Sequence, residues 1–135
     1  MPTNSQTATE ISRVLARRGI AYPVDFIKSC DTIVKRDKDN NIVFVLFLAY
    51  YPEEHPYGLR IMAAGDTGAG TKALMKEALT VAFSRPDIFY IYTETSRDDI
   101  RNYLSRLGFE FRGITDSGEH FYALFYNNVQ RKWLR

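Results

Sequence analysis

Gly65-Asp66-Thr67-Gly68-Ala69-Gly70, with the Thr71-Lys72 that follows, is the stretch of this sequence best suited to chemistry. Glycines let a backbone turn so that successive N–H groups point outward together. A helix opening directly behind them adds its own unsatisfied N–H groups and a partial positive charge. The product is an anion site suited to a phosphate or pyrophosphate, with Lys72 in the first turn to add charge. By itself the glycine spacing is weak, because a tight strand-to-helix connection uses glycines for geometry alone. Two well-known phosphate motifs fail here. A P-loop needs Lys-Ser/Thr directly after its last glycine. Gly65 and Gly70 have its glycine spacing, but Thr71-Lys72 stands in that place, and no magnesium-binding aspartate ends a parallel strand. A Rossmann unit needs an early parallel βαβ, whereas hairpins both precede this loop and end the chain.

Other chemistries are excluded by scarcity. The lone Cys30 rules out an internal disulfide framework and a cysteine-based zinc site. With His55 and His120 the only histidines, no metal centre is expected. The net charge of +2 and a pI near 8.7 are too mild for a nucleic-acid binder. The basic clusters Arg17-Arg18 and Arg131-Lys132 read as solvated surface. The longest apolar run, Ile42 to Tyr51, suits a buried strand and is too short to span a membrane. The first residues lack the pattern of a secretory signal, so the expected compartment is the cytoplasm.

The elements that must position the loop follow from periodicity and punctuation. Over 135 residues, 45% apolar and 14% aromatic, the chain has the size and composition of one compact domain. Residues 1–6 read as a polar lead and 128–135 as a basic tail. Thr7 with Glu10 fits a capping box for a helix over about 8–18, its face carried by Ile11, Val14 and Leu15. Pro23 opens a short second helix. Strands are expected at Asp31–Arg36 and Ile42–Tyr50, joined by a polar turn, and at Leu59–Ala64. A helix is expected over Thr71–Phe83, with Leu74, Met75, Ala78, Leu79 and Ala82 as its apolar stripe, stopped by Pro86. A strand over Asp87–Thr93 precedes a helix capped by Ser96 with Asp99 and closed by Gly108. Strands over Phe109–Ile114 and Phe121–Tyr126 end the chain. Phe89, Phe109 and Phe111 are among the aromatics assigned to strands.

This order of elements and two local motifs resemble the GNAT superfamily of N-acetyltransferases. One motif is the strand, the loop Gly65–Gly70 and the Lys72-Ala73-Leu74-Met75 helix start. The other is Tyr103-Leu104-Ser105-Arg106-Leu107-Gly108-Phe109, a helix ending in Leu-Gly-Phe before the last hairpin. The resemblance covers about residues 8–127. It implies an α/β (α+β) GNAT fold: a mixed, mostly antiparallel sheet of about six strands flanked by four helices, with the family's first strand reduced or absent. It also implies acetyl-CoA as cofactor, its pyrophosphate held by Gly65, Asp66, Thr67, Gly68, Ala69, Gly70, Thr71 and Lys72. The acetyl oxygen would be held by backbone N–H groups near Ile61, Met62, Ala63 and Ala64, and a cleft is expected between the strands at 59–64 and 87–94.

The sequence departs from the family pattern in places that matter to catalysis. Gly65 stands where the family has Gln or Arg. Leu104 stands where many members carry the tyrosine acid, and Arg97 where an asparagine is common. Tyr103 is one residue away, about 100° round a helix. Glu94, at the end of the strand after the cofactor helix, is the candidate base, its alternative being a surface carboxylate near a helix start. Tyr103, Tyr90 and Tyr92 are the candidates to replace the missing acid, although aromatic residues at such spacing are more often core. Glu53, Glu54 and His55 lie in the loop where an acceptor enters, each singly read as solvated. Cys30 reads as a small buried apolar residue and His120 as structural.

Two functions follow. One is an acetyl-CoA-dependent N-acetyltransferase acting on a small-molecule or protein amine. The other is a non-catalytic GNAT-fold binding or structural protein. A shorter resemblance to GNAT-like proteins of tailed phages, carried by Tyr103-Leu104 and Leu107-Gly108, makes a virion assembly partner its natural form. Sheet pairing of the family's kind admits a homodimer.

Overall fold

A computed structural model describes residues 4–65 and 71–132. Its elements are α1 (Ser5–Arg17), α2 (Val24–Ser29), β1 (Asp31–Arg36), β2 (Ile42–Ala49), β3 (Gly58–Gly65), α3 (Thr71–Phe83), β4 (Tyr90–Thr95), α4 (Asp98–Leu107), β5 (Glu110–Ile114), β6 (His120–Phe125) and α5 (Tyr126–Lys132). The strand order is β1-β2-β3-β4-β6-β5. This is the expected mixed, mostly antiparallel six-stranded sheet, with β3–β4 the parallel pair. Five helices stand where four were expected, and among the described residues no strand precedes α1. The chain divides into two compact units, Met1–Tyr50 with Ile61–Ala78, and Tyr51–Arg60 with Leu79–Arg135.

In the first unit, Ala8, Ile11 and Leu15 lie along one stripe of α1 and are buried against Ile27 of α2 and Val45, Phe47 and Ala49 of β2. Their spacing puts one face of the helix on the sheet, and each large side chain so buried contributes roughly 1.5–3 kcal/mol. Tyr22 packs on Phe47 at 5.3 Å between ring centroids. Cys30 is fully buried, and burial pushes its thiol pKa up, as expected of a residue used for packing. The expected capping box is not formed. Asn4 caps α1, its side chain accepting from the Thr7 backbone N–H at 2.8 Å, so the helix starts three residues earlier than Thr7 would place it. Glu10 turns away instead to Arg36, with oxygen–nitrogen distances of 2.7 and 3.0 Å. The β1–β2 turn is held by Asp37, whose Oδ1 accepts from the backbone of Asp39 and Asn41.

In the second unit, β4 and β6 pair from Tyr90↔Phe125 to Thr95↔His120. One face of this ladder is buried at Ile91, Tyr122 and Leu124, where Arg101 of α4 donates to the Tyr122 hydroxyl at 3.3 Å. The other face carries Tyr90, Tyr92, Glu94, Phe121 and Phe125, because successive side chains on a strand alternate and opposed residues share a face. α4 is capped by Arg97 with no side-chain hydrogen bond, so the expected Ser96 cap is not made; Arg97 pairs with Asp99. Gly108 ends it in the left-handed region at φ 99°, as expected of a helix-closing glycine. β4 begins at Tyr90 rather than Asp87, leaving Phe89 before the strand and 54% exposed. Phe109 is buried just ahead of β5. Tyr126–Lys132 forms α5, anchored by the fully buried Val129, where a basic tail was expected over 128–135.

Candidate functional site

The candidate cofactor segment begins at the end of β3. Ile61 and Ala64 are buried, Met62 packs against the α1–α2 core and Ala63 is exposed. The parallel ladder with β4 consists of Gly58↔Tyr90, Leu59↔Ile91 and Arg60↔Tyr92, so Ile61–Gly65 lies outside it. Gly65 has φ +115°, and a Cβ there would come within 2.8 Å of Phe44 Cα. Only glycine fits this exit from the strand. Asp66, Thr67, Gly68, Ala69 and Gly70 lie outside the described residues. Thr71 is the first residue of the 13-residue helix α3, whose first turn holds no acidic residue. Lys72 is exposed in that turn. A helix start without carboxylates and with a lysine suits a pyrophosphate. These described residues therefore fit the anionic part of coenzyme A.

A second constellation lies in the other unit, on the Tyr90–Tyr92–Glu94 face. Glu94 Oε2 stands 4.0 Å from the guanidinium of Arg60, and both side chains are about three-quarters buried (21% and 32% exposed). The Nε of Arg60 is buried with no hydrogen-bond partner among the described residues. Burial pushes the Tyr92 phenol up to about 12, with Arg60 pulling the other way and Tyr90, Glu54 and Tyr51 adding to the rise. Burial also raises Tyr90. Both hydroxyls therefore keep their protons at neutral pH. His55, from the loop before β3, lies on these rings: 3.9 Å from Tyr92 between centroids, 5.6 Å from Phe121, and with Nδ1 2.8 Å from the Tyr90 hydroxyl. From sequence alone His55 is expected to be a solvated loop residue. The only local hint against that was its place between Glu54 and Pro56 just ahead of a strand. Its partners are 35 and more residues away.

The two expected catalytic residues have different surroundings. Glu94 is engaged with Arg60, while Tyr103 is 37% exposed on α4 and makes no hydrogen bond or ring contact among the described residues. Tyr103 is thus not core, whereas its neighbour Leu104 is buried. Tyr92 is core at 2% exposure, and Tyr90 serves His55. Glu53 and Glu54 are exposed. His120 packs 5.5 Å from Phe111, its Nδ1 buried without a partner among the described residues.

No family profile matches the chain, and no curated protein matches it. Solved structures do. The aminoglycoside acetyltransferase AAC(6')-Ib, in complex with coenzyme A and kanamycin, superposes with a TM-score of 0.69 at 14% identity, over 98% of this chain and 96% of that one. A GNAT-family acetyltransferase from Streptococcus pneumoniae gives 0.72 at 10% identity, over 93% and 96%. The spermidine/spermine N-acetyltransferase SpeG from Vibrio cholerae gives 0.71 at 13% identity, over 97% and 95%.

The chain has the GNAT fold. The match runs across nearly its whole length, with no strand before α1 among the described residues.

Proposed function

We propose that this protein is an acetyl-CoA-dependent N-acetyltransferase acting on an amine. The observation that carries the reading is the β3–α3 connection, in which Gly65 leaves the strand in a conformation closed to other residues and a 13-residue helix without early carboxylates follows. The GNAT fold supports it, since solved neighbours hold coenzyme A or acetyl-CoA. Gly65, Lys72 and the helix start would hold the pyrophosphate, together with Asp66–Gly70. Backbone N–H groups of Ile61–Ala64, outside the parallel ladder, would hold the acetyl oxygen. Acetyl-CoA supplies the acetyl group as a thioester. Glu94 is the carboxylate that faces the acceptor amine, and Tyr103 the hydroxyl that gives a proton to the departing thiolate. No described helix is long and apolar enough to cross a membrane, and a cytoplasmic setting goes with this cofactor. The acceptor is a small-molecule or protein amine. Neighbours act on aminoglycosides and polyamines, which makes kanamycin and spermidine the first probe amines. The test is thiol release from acetyl-CoA with each probe, with mass spectrometry of the acetylated amine. The reading predicts amine-dependent release that falls in Glu94→Gln and Tyr103→Phe; release unaffected by either variant contradicts those roles.

One observation favours a second reading. Leu104 is buried at the position where the family's acid is usual. A GNAT-fold binding or structural protein without catalysis would bind acetyl-CoA weakly or not at all and release no thiol. The virion form of that reading gains no support from the comparisons.

A further inference from the structure

The loop ahead of β3 fixes an imidazole in place. His55 N–H donates to Tyr51 O at 2.8 Å, Gly58 N–H donates to His55 O at 3.3 Å, and Phe89 N–H donates to Tyr57 O at 2.8 Å. The ring lies 3.9 Å from Tyr92 and 5.6 Å from Phe121 between centroids, and those two rings stand 5.5 Å apart, so the three pack as one cluster. Tyr90 reaches Nδ1 because position 58 is glycine; a Cβ there would stand 2.6 Å from Cζ of Tyr90. A hydrogen bond on one ring nitrogen fixes which nitrogen does the work. In the tautomer whose Nδ1–H donates to the Tyr90 oxygen, Nε2 keeps its lone pair.

A neutral imidazole nitrogen with a free lone pair can accept a proton, and histidine is the side chain most often used for that step in catalysis. Glu94, on the same sheet face, has Arg60 as its charge partner. We propose that His55 Nε2 takes the proton of the acceptor amine, with Tyr90 as the positioning residue. In that step an N–H bond of the acceptor ammonium breaks and an Nε2–H bond forms. The electron pair stays on the amine nitrogen, which becomes the nucleophile. The charged and titratable groups around the stack are Glu54 and Tyr51 on the loop, Arg60 on β3, and Tyr90, Tyr92 and Glu94 on β4; Phe121 brings no charge from β6. The assignment rests on the acetyl-transfer reading.

The test uses the full chain, acetyl-CoA and spermidine. Thiol release is followed against pH in the wild type, His55→Gln and Tyr90→Phe, and acetyl-CoA binding to each is measured by calorimetry. Binding is expected to stay within about twofold across the three, since His55 acts on the amine. The wild-type kcat/KM should fall on the acid side. In His55→Gln that acid limb should vanish and the rate should drop by about 100-fold or more. Tyr90→Phe should lower kcat and displace the limb with KM unchanged. Nitrogen NMR of this two-histidine chain, assigned with His120→Gln, should show the Nδ1–H tautomer at His55, lost in Tyr90→Phe. An unchanged acid limb in His55→Gln with binding intact overturns the proposal alone, as does an Nε2–H tautomer. Bound acetyl-CoA with no release to spermidine also overturns it. A wild type that does not bind acetyl-CoA overturns the acetyl-transfer reading itself.

Discussion

A side chain at Gly65 would run into the backbone of β2: its Cβ would stand 2.8 Å from Phe44 Cα, with the Val43 carbonyl oxygen nearer still. The neighbour is backbone inside a sheet, so it cannot swing aside as a flexible side chain would. The position is also left-handed, at φ +115°. Gly65→Ala is therefore expected to destabilise the protein by more than the ~1 kcal/mol of an unobstructed left-handed glycine. Gly118, at φ +86° with open space around its Cβ, is the control. Denaturant midpoints of Gly65→Ala and Gly118→Ala check this; equal losses would contradict it.

The neighbouring positions Tyr103 and Leu104 separate by burial. Leu104→Ala should cost about 2–5 kcal/mol, as for other buried leucines. Tyr103→Phe should change stability by less than about 0.5 kcal/mol, because the exposed hydroxyl bonds to nothing among the described residues. Thermal unfolding of both variants reads this directly.

Much of the scaffold was legible in the sequence because its signals are local. The stripe Leu74, Met75, Ala78, Leu79 and Ala82 gives the bounds of α3, and the continuous apolar run gives β2 with both faces buried. Where the reading slipped, a distant partner decided. Asn4 and Thr7 are both good caps, and Arg36, 26 residues on, draws Glu10 out of the capping box. α5 is short and has no readable stripe, and what holds it is the burial of Val129. His55 gained its place from Tyr90, Tyr92 and Phe121, on two strands that no local pattern links to its loop.

The Glu10–Arg36 pair gives a pH dependence. The Arg36 guanidinium holds the Glu10 carboxyl below the ordinary carboxylate range. A carboxyl so lowered adds stability above its unfolded pKa, about 4.3, and that contribution is lost as pH falls through the folded value. The pair is about one-third exposed, so its worth is about 0.2–1 kcal/mol. Glu10→Gln should lose that much at pH 7 and nothing at pH 2, as measured by urea unfolding at the two values.

Tyr92 gives the opposite sign. Its phenol is raised to about 12 by burial. The stability this carries is full below the unfolded pKa, about 10, and is lost as pH rises through the folded value. A spectrophotometric titration should show a tyrosine ionising near pH 12 that is absent in Tyr92→Phe. The fall in unfolding temperature above pH 10 should be shallower in that variant.

The central claim is that the β3–α3 connection holds acetyl-CoA, and isothermal titration of acetyl-CoA into the purified wild-type protein tests it most directly. One site per chain is expected, with binding abolished when Gly68 or Gly70 is replaced by a bulky residue and the fold kept. No heat of binding at millimolar ligand, or an affinity unchanged by those replacements, would contradict it.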